Sequence, residues 1–212
     1  MLIDLDTIHQ KYNLDVKGVI HVGAHYGREI DSYIQLGIKN IVLFEPLSEN
    51  FNILIQKVNS LNLNDLNVEV HKVALGNING TVDINLSISN ELQSSSILSP
   101  KLHLEQHPWC VFSGTENVKV NKLDLYDYKK FNLLNMDVQG YELEVLKGAK
   151  NTLNYIDYVY TEVNSAEVYE DNALIEDLDS FLLKYNFIRV ETSWWPDTNW
   201  GDAFYIKNKG VL

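Results

Sequence analysis

The chain has 212 residues, with 17 Lys and Arg against 29 Asp and Glu, a formal net charge of −12. With 45% hydrophobic residues it can bury a full core without disulfide or metal staples, which excludes a disordered chain. The acidic balance argues against a nucleic-acid or anionic-membrane surface, since both need a basic footprint, and a neutral or cationic substrate fits better.

In chain order, short apolar runs alternate with helical periods. Residues 18–22 (GVIHV) read as a strand ending at Gly23, and Glu29 to Leu36 as a helix stopped by Gly37. Residues 40–45 (NIVLFE) form a buried-type strand ending at Pro46. Ser48 opens a helix with Phe51, Leu54, Ile55 and Val58 inward, and Val68 to Leu75 read as a third strand. This series predicts a parallel sheet with right-handed crossovers. Residues 76–80 have turn chemistry, and 81–88 alternate with period two, as in a half-exposed antiparallel strand. Residues 89–115 are polar and irregular, which suits a lid or binding loop. Residues 117–123 read as extended. Parallel architecture resumes with a strand at 131–137, a helix at 141–149, a strand at 155–163 and a helix at 173–185. Residues 187–192 and 203–207 then read as a terminal antiparallel pair.

The expected fold is therefore α/β, a mostly parallel Rossmann-like sheet with a terminal antiparallel strand and an inserted β segment. No repeat or linker interrupts it. One domain is expected over 1–212, with a helical extension at about 1–15 and an inserted loop/β region at about 77–123. No apolar run reaches transmembrane length, and the first residues lack the basic and apolar regions of a secretory signal, so a cytoplasmic location is expected. Cys110 is the single cysteine, so no disulfide or cysteine zinc site forms within one chain.

Chemistry concentrates at three places. Gly23 and Gly27 in HVGAHYG let the backbone pass close to a ligand, although a plain strand–helix turn explains them equally. The spacing is neither the dinucleotide fingerprint nor a P-loop. Glu45 ends the second strand, where an acid accepts both hydroxyls of a ribose. The glycine turn and Glu45 together point to a mononucleoside cofactor, with S-adenosylmethionine leading. Asp137 ends the fourth core strand on the ligand-bearing edge, and Glu142 lies in the first turn of the helix after it, where an acid also serves the helix dipole.

These segments resemble the FkbM family of S-adenosylmethionine-dependent O-methyltransferases. The resemblance is carried by residues 22–27 (VGAHYG), 44–46 (FEP), 73–76 (VALG), 94–97 (SSSI), 137–142 (DVQGYE) and 146–149 (LKGA). It covers about residues 17–206, and the block at Asp137 is its most specific part. It implies a class I methyltransferase sheet and methylation of a hydroxyl, often on a sugar. It implies a cofactor site built from His21, Gly23, Ala24, His25, Gly27, Glu45, Pro46, Ala74, Ser95, Ser96 and Asp137. The family usually has Asp at the position of His21 and often Asn at that of His25, so recognition of the cofactor's amino-acid end departs from the family pattern here.

Methyl transfer needs an acceptor oxygen aligned with the methyl group and a group to take its proton. Asp137 is the first candidate for that base and Glu162 the second. Asp202 either faces the acceptor or is an exposed strand-end acid, and the second reading is preferred. Asp137, Glu162 and Asn164 are hard oxygen donors of the kind magnesium takes, but strand-end oxygens are common without a metal, and no metal ligand is assigned. Trp109, Trp194, Trp195 and Trp200 fall in loop-like regions, where they either stack on sugar C–H faces or fasten the loops. The expected acceptor is a small molecule or glycan, with no nucleic acid and no membrane insertion. A non-sugar metabolite as acceptor, or a silent cofactor-binding module, remains open.

Overall fold

The computed structural model describes residues 2–61, 65–208 and 210. The ends of the expected 1–212 domain, residues 1 and 211–212, lie outside the described residues, as do 62–64 and 209. The β-rich runs form the strands β1 (Val19–Val22), β2 (Asn40–Phe44), β3 (Asn67–His71), β4 (Ala74–Leu75), β5 (Gly80–Ser87) and β6 (Phe112–Asn121). They continue with β7 (Leu133–Met136), β8 (Tyr158–Asn164), β9 (Phe187–Trp194) and β10 (Trp200–Lys207). The helices are α1 (Leu5–Tyr12), α2 (Ile30–Gln35), α3 (Ser48–Ser60), α4 (His103–Gln106), α5 (Glu142–Lys147) and α6 (Ile175–Leu183).

Among the described residues, seven strands form one sheet in the order β3-β2-β1-β7-β8-β10-β9. The pairs from β3 to β8 are parallel, and β10 is antiparallel to both β8 and β9. The strand order reverses between β1 and β7, the crevice at which open α/β sheets bind ligands. Both faces are covered, which is why the central strands are continuously apolar instead of alternating. Ile20, Val22, Leu134 and Met136 pack with α5 and α6 on one face. Val19, Ile41, Leu43 and Leu133 pack with α1, α2 and α3 on the other. Removing a fully buried aliphatic side chain such as Leu134 or Leu146 from water contributes about 1.5–3 kcal/mol.

Two expectations need correction. Residues 68–75 do not form one strand. The chain leaves the main sheet after His71, and Ala74–Leu75 pair with Val120–Asn121 in a second sheet of order β4-β6-β5. The irregular stretch also ends earlier than 115, because β6 begins at Phe112 and pairs antiparallel with β5. Gly148 shows why the ALG and LKGA segments go together: a Cβ there would collide with the Gly76 carbonyl oxygen, so α5 ends directly against the start of the inserted hairpin.

Candidate functional site

One cavity of about 540 Å³ opens along the C-terminal ends of β1, β2, β7 and β8. His21, Gly23, His25, Glu45, Pro46, Ala74, Ser95, Ser96, Asp137 and Glu162 all line it. Ala24 and Gly27 do not. Ala24 is buried under the turn, with its N–H bonded to the Phe44 carbonyl at 3.0 Å. Gly27, at φ +71°, leaves room for Ile30 and Leu54.

The glycine turn serves by shape. The Gly23 N–H also goes to Phe44 O, at 2.9 Å, so two of its amides are committed to β2. Gly23 has φ +81°, which favours glycine, and packs against the Asp137 backbone. The third amide, His25 N–H, donates to Glu45 Oε2 at 2.8 Å, and Leu47 N–H donates to Glu45 Oε1 at 2.9 Å. These bonds aim the carboxyl. Burial pushes Glu45 up to about 7, against the pull of those backbone donors. Asn50 Oδ1 and Asn90 Oδ1 are buried in the same wall without a protein partner. Neither was singled out from sequence, because their exposure depends on how α3 and the 88–111 segment are seated.

The 88–111 segment closes one side. It is fixed by an Asn85–Ser96 bridge and a Pro100–Tyr169 bridge. Its tip docks on the glycine turn through His25 Nε2 and Glu91 O, 2.7 Å apart, and through an exposed Arg28–Glu91 ion pair at 2.7 Å.

His21 is a buried histidine with a defined partner. Asn135 Nδ2 donates to the Tyr33 hydroxyl oxygen at 2.6 Å, and the same hydroxyl lies 3.2 Å from His21 Nδ1. Burial lowers the imidazole's proton affinity, which favours the neutral ring.

At the far end stand four acids. Asp137 follows β7, Glu162 lies on β8, Asp202 sits opposite Glu162 on β10, and Glu142 begins α5. Gln139 Nε2 donates to Asp137 Oδ1 and to Glu162 Oε2, both at 2.7 Å. Glu142 Oε1 accepts from Val138 N and Gly140 N, so Glu142 braces the turn below the cavity. The protein crowded around it raises Asp137, although the cavity leaves this residue exposed, to about 6, and burial raises Glu142 to about 7. It raises Glu162 well above the carboxylate range, helped by the charges of Asp137, Glu142 and Asp202. Asp202, expected to be exposed, is buried and accepts hydrogen bonds from the Tyr160 hydroxyl and Leu2 N–H. Among the described residues, no group of three or more His, Cys, Asp or Glu is arranged to hold a metal ion.

Aromatic side chains finish the wall. Trp195 and Trp200 stack with ring centroids 5.4 Å apart and planes at 9°. They line the cavity with Trp109, His103 and His107, whereas Trp194 does not. Trp194 ends β9 and Trp200 starts β10, so these two are strand residues and not loop residues.

The family model described as the Methyltransferase FkbM domain matches residues 21–189. A curated relative, the 2-O-methyltransferase NoeI of Sinorhizobium fredii (strain NBRC 101917 / NGR234), is 29% identical over 186 residues, 81% of this chain and 74% of that protein. The solved methyltransferase FkbM from Methylobacillus flagellatus KT superposes with a TM-score of 0.60 at 15% identity; the match covers 90% of this chain and less than half, 43%, of that one. The magnesium protoporphyrin IX methyltransferase ChlM from Synechocystis PCC 6803, solved with bound SAM, gives a TM-score of 0.54 at 10% identity, covering 96% of this chain and 76% of that one. No helix among the described residues is long and apolar enough to cross a membrane.

Proposed function

The chain belongs to the FkbM methyltransferase family, and on that premise we propose that it transfers a methyl group from S-adenosylmethionine to a hydroxyl of a sugar or glycan. The observation that carries the reading is one continuous cavity that runs from Glu45 past Gly23 to Asp137 and Glu162.

The residues present fit this cofactor. Glu45 would take the ribose hydroxyls, and the unpartnered Asn50 Oδ1 and Asn90 Oδ1 are acceptors left for a ligand's N–H or O–H groups. His21, in the neutral tautomer with Nε2 protonated, would donate to the carboxylate of the methionine chain. When bound, the sulfonium supplies an electrophilic methyl group. Asp137 orients the acceptor hydroxyl. Asp137 would accept the O–H proton of the acceptor as that oxygen takes the methyl group.

Two features support a neutral, sugar-like acceptor. The acceptor end presents Asp137, Glu162 and Asp202, and among the described residues the one Arg or Lys lining the cavity, Arg28, is paired with Glu91, which disfavours an anionic acceptor. Trp109, at 59% exposure, and the Trp195–Trp200 stack offer apolar faces to sugar C–H groups. The NoeI relative, a 2-O-methyltransferase, supports oxygen as the nucleophile. The test is incubation with methyl-labelled S-adenosylmethionine and a panel of neutral sugars and glycans, followed by mass spectrometry. Label on a hydroxyl is expected. Label only on nitrogen or carbon nucleophiles overturns the assignment.

A further inference from the structure

We propose that Gln139 is a positioning residue for the transfer: its side-chain amide clamps Asp137 and Glu162 into one carboxyl pair facing the cavity. The inference rests on the methyl-transfer reading above and deepens it.

The geometry is specific. One NH₂ group gives one hydrogen to each carboxyl, at 2.7 Å and 2.7 Å. An amide can do this only with its nitrogen toward the acids, and Tyr169 sets that orientation: its hydroxyl lies 2.8 Å from Gln139 Oε1, with Ser94 O as a second acceptor at 3.0 Å. The backbone is held as firmly. Gln139 has φ +53°, a left-handed conformation unfavourable for a side chain of its size, and Ser96 Oγ donates to its carbonyl at 2.6 Å. Gln139 therefore joins the acid pair to the 88–111 segment, so seating of that segment and alignment of the acids are one arrangement.

The pair needs such a clamp because its surroundings are acidic. Glu142 of α5, Asp202 of β10 and Glu29 before α2 face it with their charges, and the Tyr160 and Tyr169 hydroxyls and neutral His21 complete the wall. No Lys or Arg among the described residues is hydrogen-bonded to either carboxyl. Two acids this close hold one proton between them. The Gln139 hydrogens reach both carboxyls equally; Glu162, buried and facing the charges of Glu142 and Asp202, is the harder of the two to ionise, so it keeps the proton and Asp137 remains free to accept one from the substrate.

The test uses the full chain with Gln139→Leu, which keeps the bulk and removes the donors. A second variant, Tyr169→Phe, leaves Gln139 in place and removes its orienting partner, which keeps the question decidable if Gln139→Leu does not fold. Carboxyl carbon NMR of the ligand-free protein reads the Asp137 titration directly. The proton affinity of Asp137 is expected to rise about tenfold in Gln139→Leu and by less, in the same direction, in Tyr169→Phe. The acid limb of kcat/KM should move to higher pH in step, with kcat down about tenfold to a hundredfold and S-adenosylhomocysteine affinity within about threefold of the parent. An Asp137 titration and an acid limb that both stay put in a folded variant overturn the clamp. If the parent methylates no hydroxyl, the transfer reading fails, and the carboxyl titration still decides the clamp.

Discussion

Gly23 and Asp137 meet backbone to backbone: any Cβ on Gly23 would collide with the Asp137 carbonyl oxygen. The Asp137 N–H in turn donates to Val22 O at 3.0 Å. The turn beside the cofactor region and the strand end bearing the proposed base are thus one packed unit at the point where the strand order reverses. On the proposed reading, cofactor and acceptor groups would be kept in register by this direct contact.

Gly23→Ala should therefore damage folding and binding together. A left-handed conformation costs a non-glycine residue about 1–3 kcal/mol, and the clash adds to it. Thermal unfolding should show a Tm lower by several degrees, and calorimetry should show weakened S-adenosylhomocysteine binding. A variant with parental Tm and affinity would mean that the turn has room the geometry denies.

Glu45→Ala removes the buried acceptor at the end of β2. Nucleoside affinity should fall by about 1.5–3 kcal/mol, the usual loss for a charged hydrogen-bond acceptor. Calorimetry with S-adenosylhomocysteine checks this, and unchanged affinity in a folded variant removes Glu45 from the site.

The pH dependence of Glu45→Gln has a definite sign. Burial raises Glu45 from 4.5 to about 7 in the folded chain. Between those values the native state binds more protons than the unfolded state, so this residue's contribution to stability falls as pH rises through that window. Gln does not titrate. The variant should gain on the parent by about 1–3 kcal/mol between pH 4.5 and 8, read by denaturant unfolding at both ends. A constant difference across the window would contradict the raised value.

The docked tip at Glu91 is held by an exposed ion pair, and such pairs contribute about 0–1 kcal/mol. Glu91→Ala should leave Tm nearly unchanged while speeding hydrogen exchange across residues 89–97, and S-adenosylhomocysteine should slow that exchange in the parent. Exchange that ignores both changes would make the segment a fixed wall and not a cover.

Much of the sheet was legible because its central strands are short apolar runs punctuated by Gly23, Pro46 and Gly37. The split after His71 was not, since Lys72 and Val73 continue the local pattern and only the distant Val120–Asn121 partners divert Ala74–Leu75. The start of β6 was hidden for the same reason: residues 113–115 read as loop until β5 pairs with Phe112 and Thr115 across an irregularity in the ladder. At the site, Glu45 and Asp137 stand at strand ends, where sequence position already suggests a role. Asp202 was misread because its burial depends on Tyr160 and on Leu2, 200 positions away in sequence. Gln139 lay within the most specific motif, yet apart from Asp137, two residues before it, its contacts come from Glu162, Tyr169 and Ser96, all distant in sequence.

The central claim is that Asp137 serves the acceptor while the cofactor is held elsewhere in the same cavity. The most direct measurement is turnover of Asp137→Asn alongside its affinity for S-adenosylhomocysteine. Asn keeps the shape and cannot accept the proton. The account predicts kcat lower by about 10²–10⁴-fold with affinity within about threefold of the parent. Parental turnover in the folded variant would contradict it.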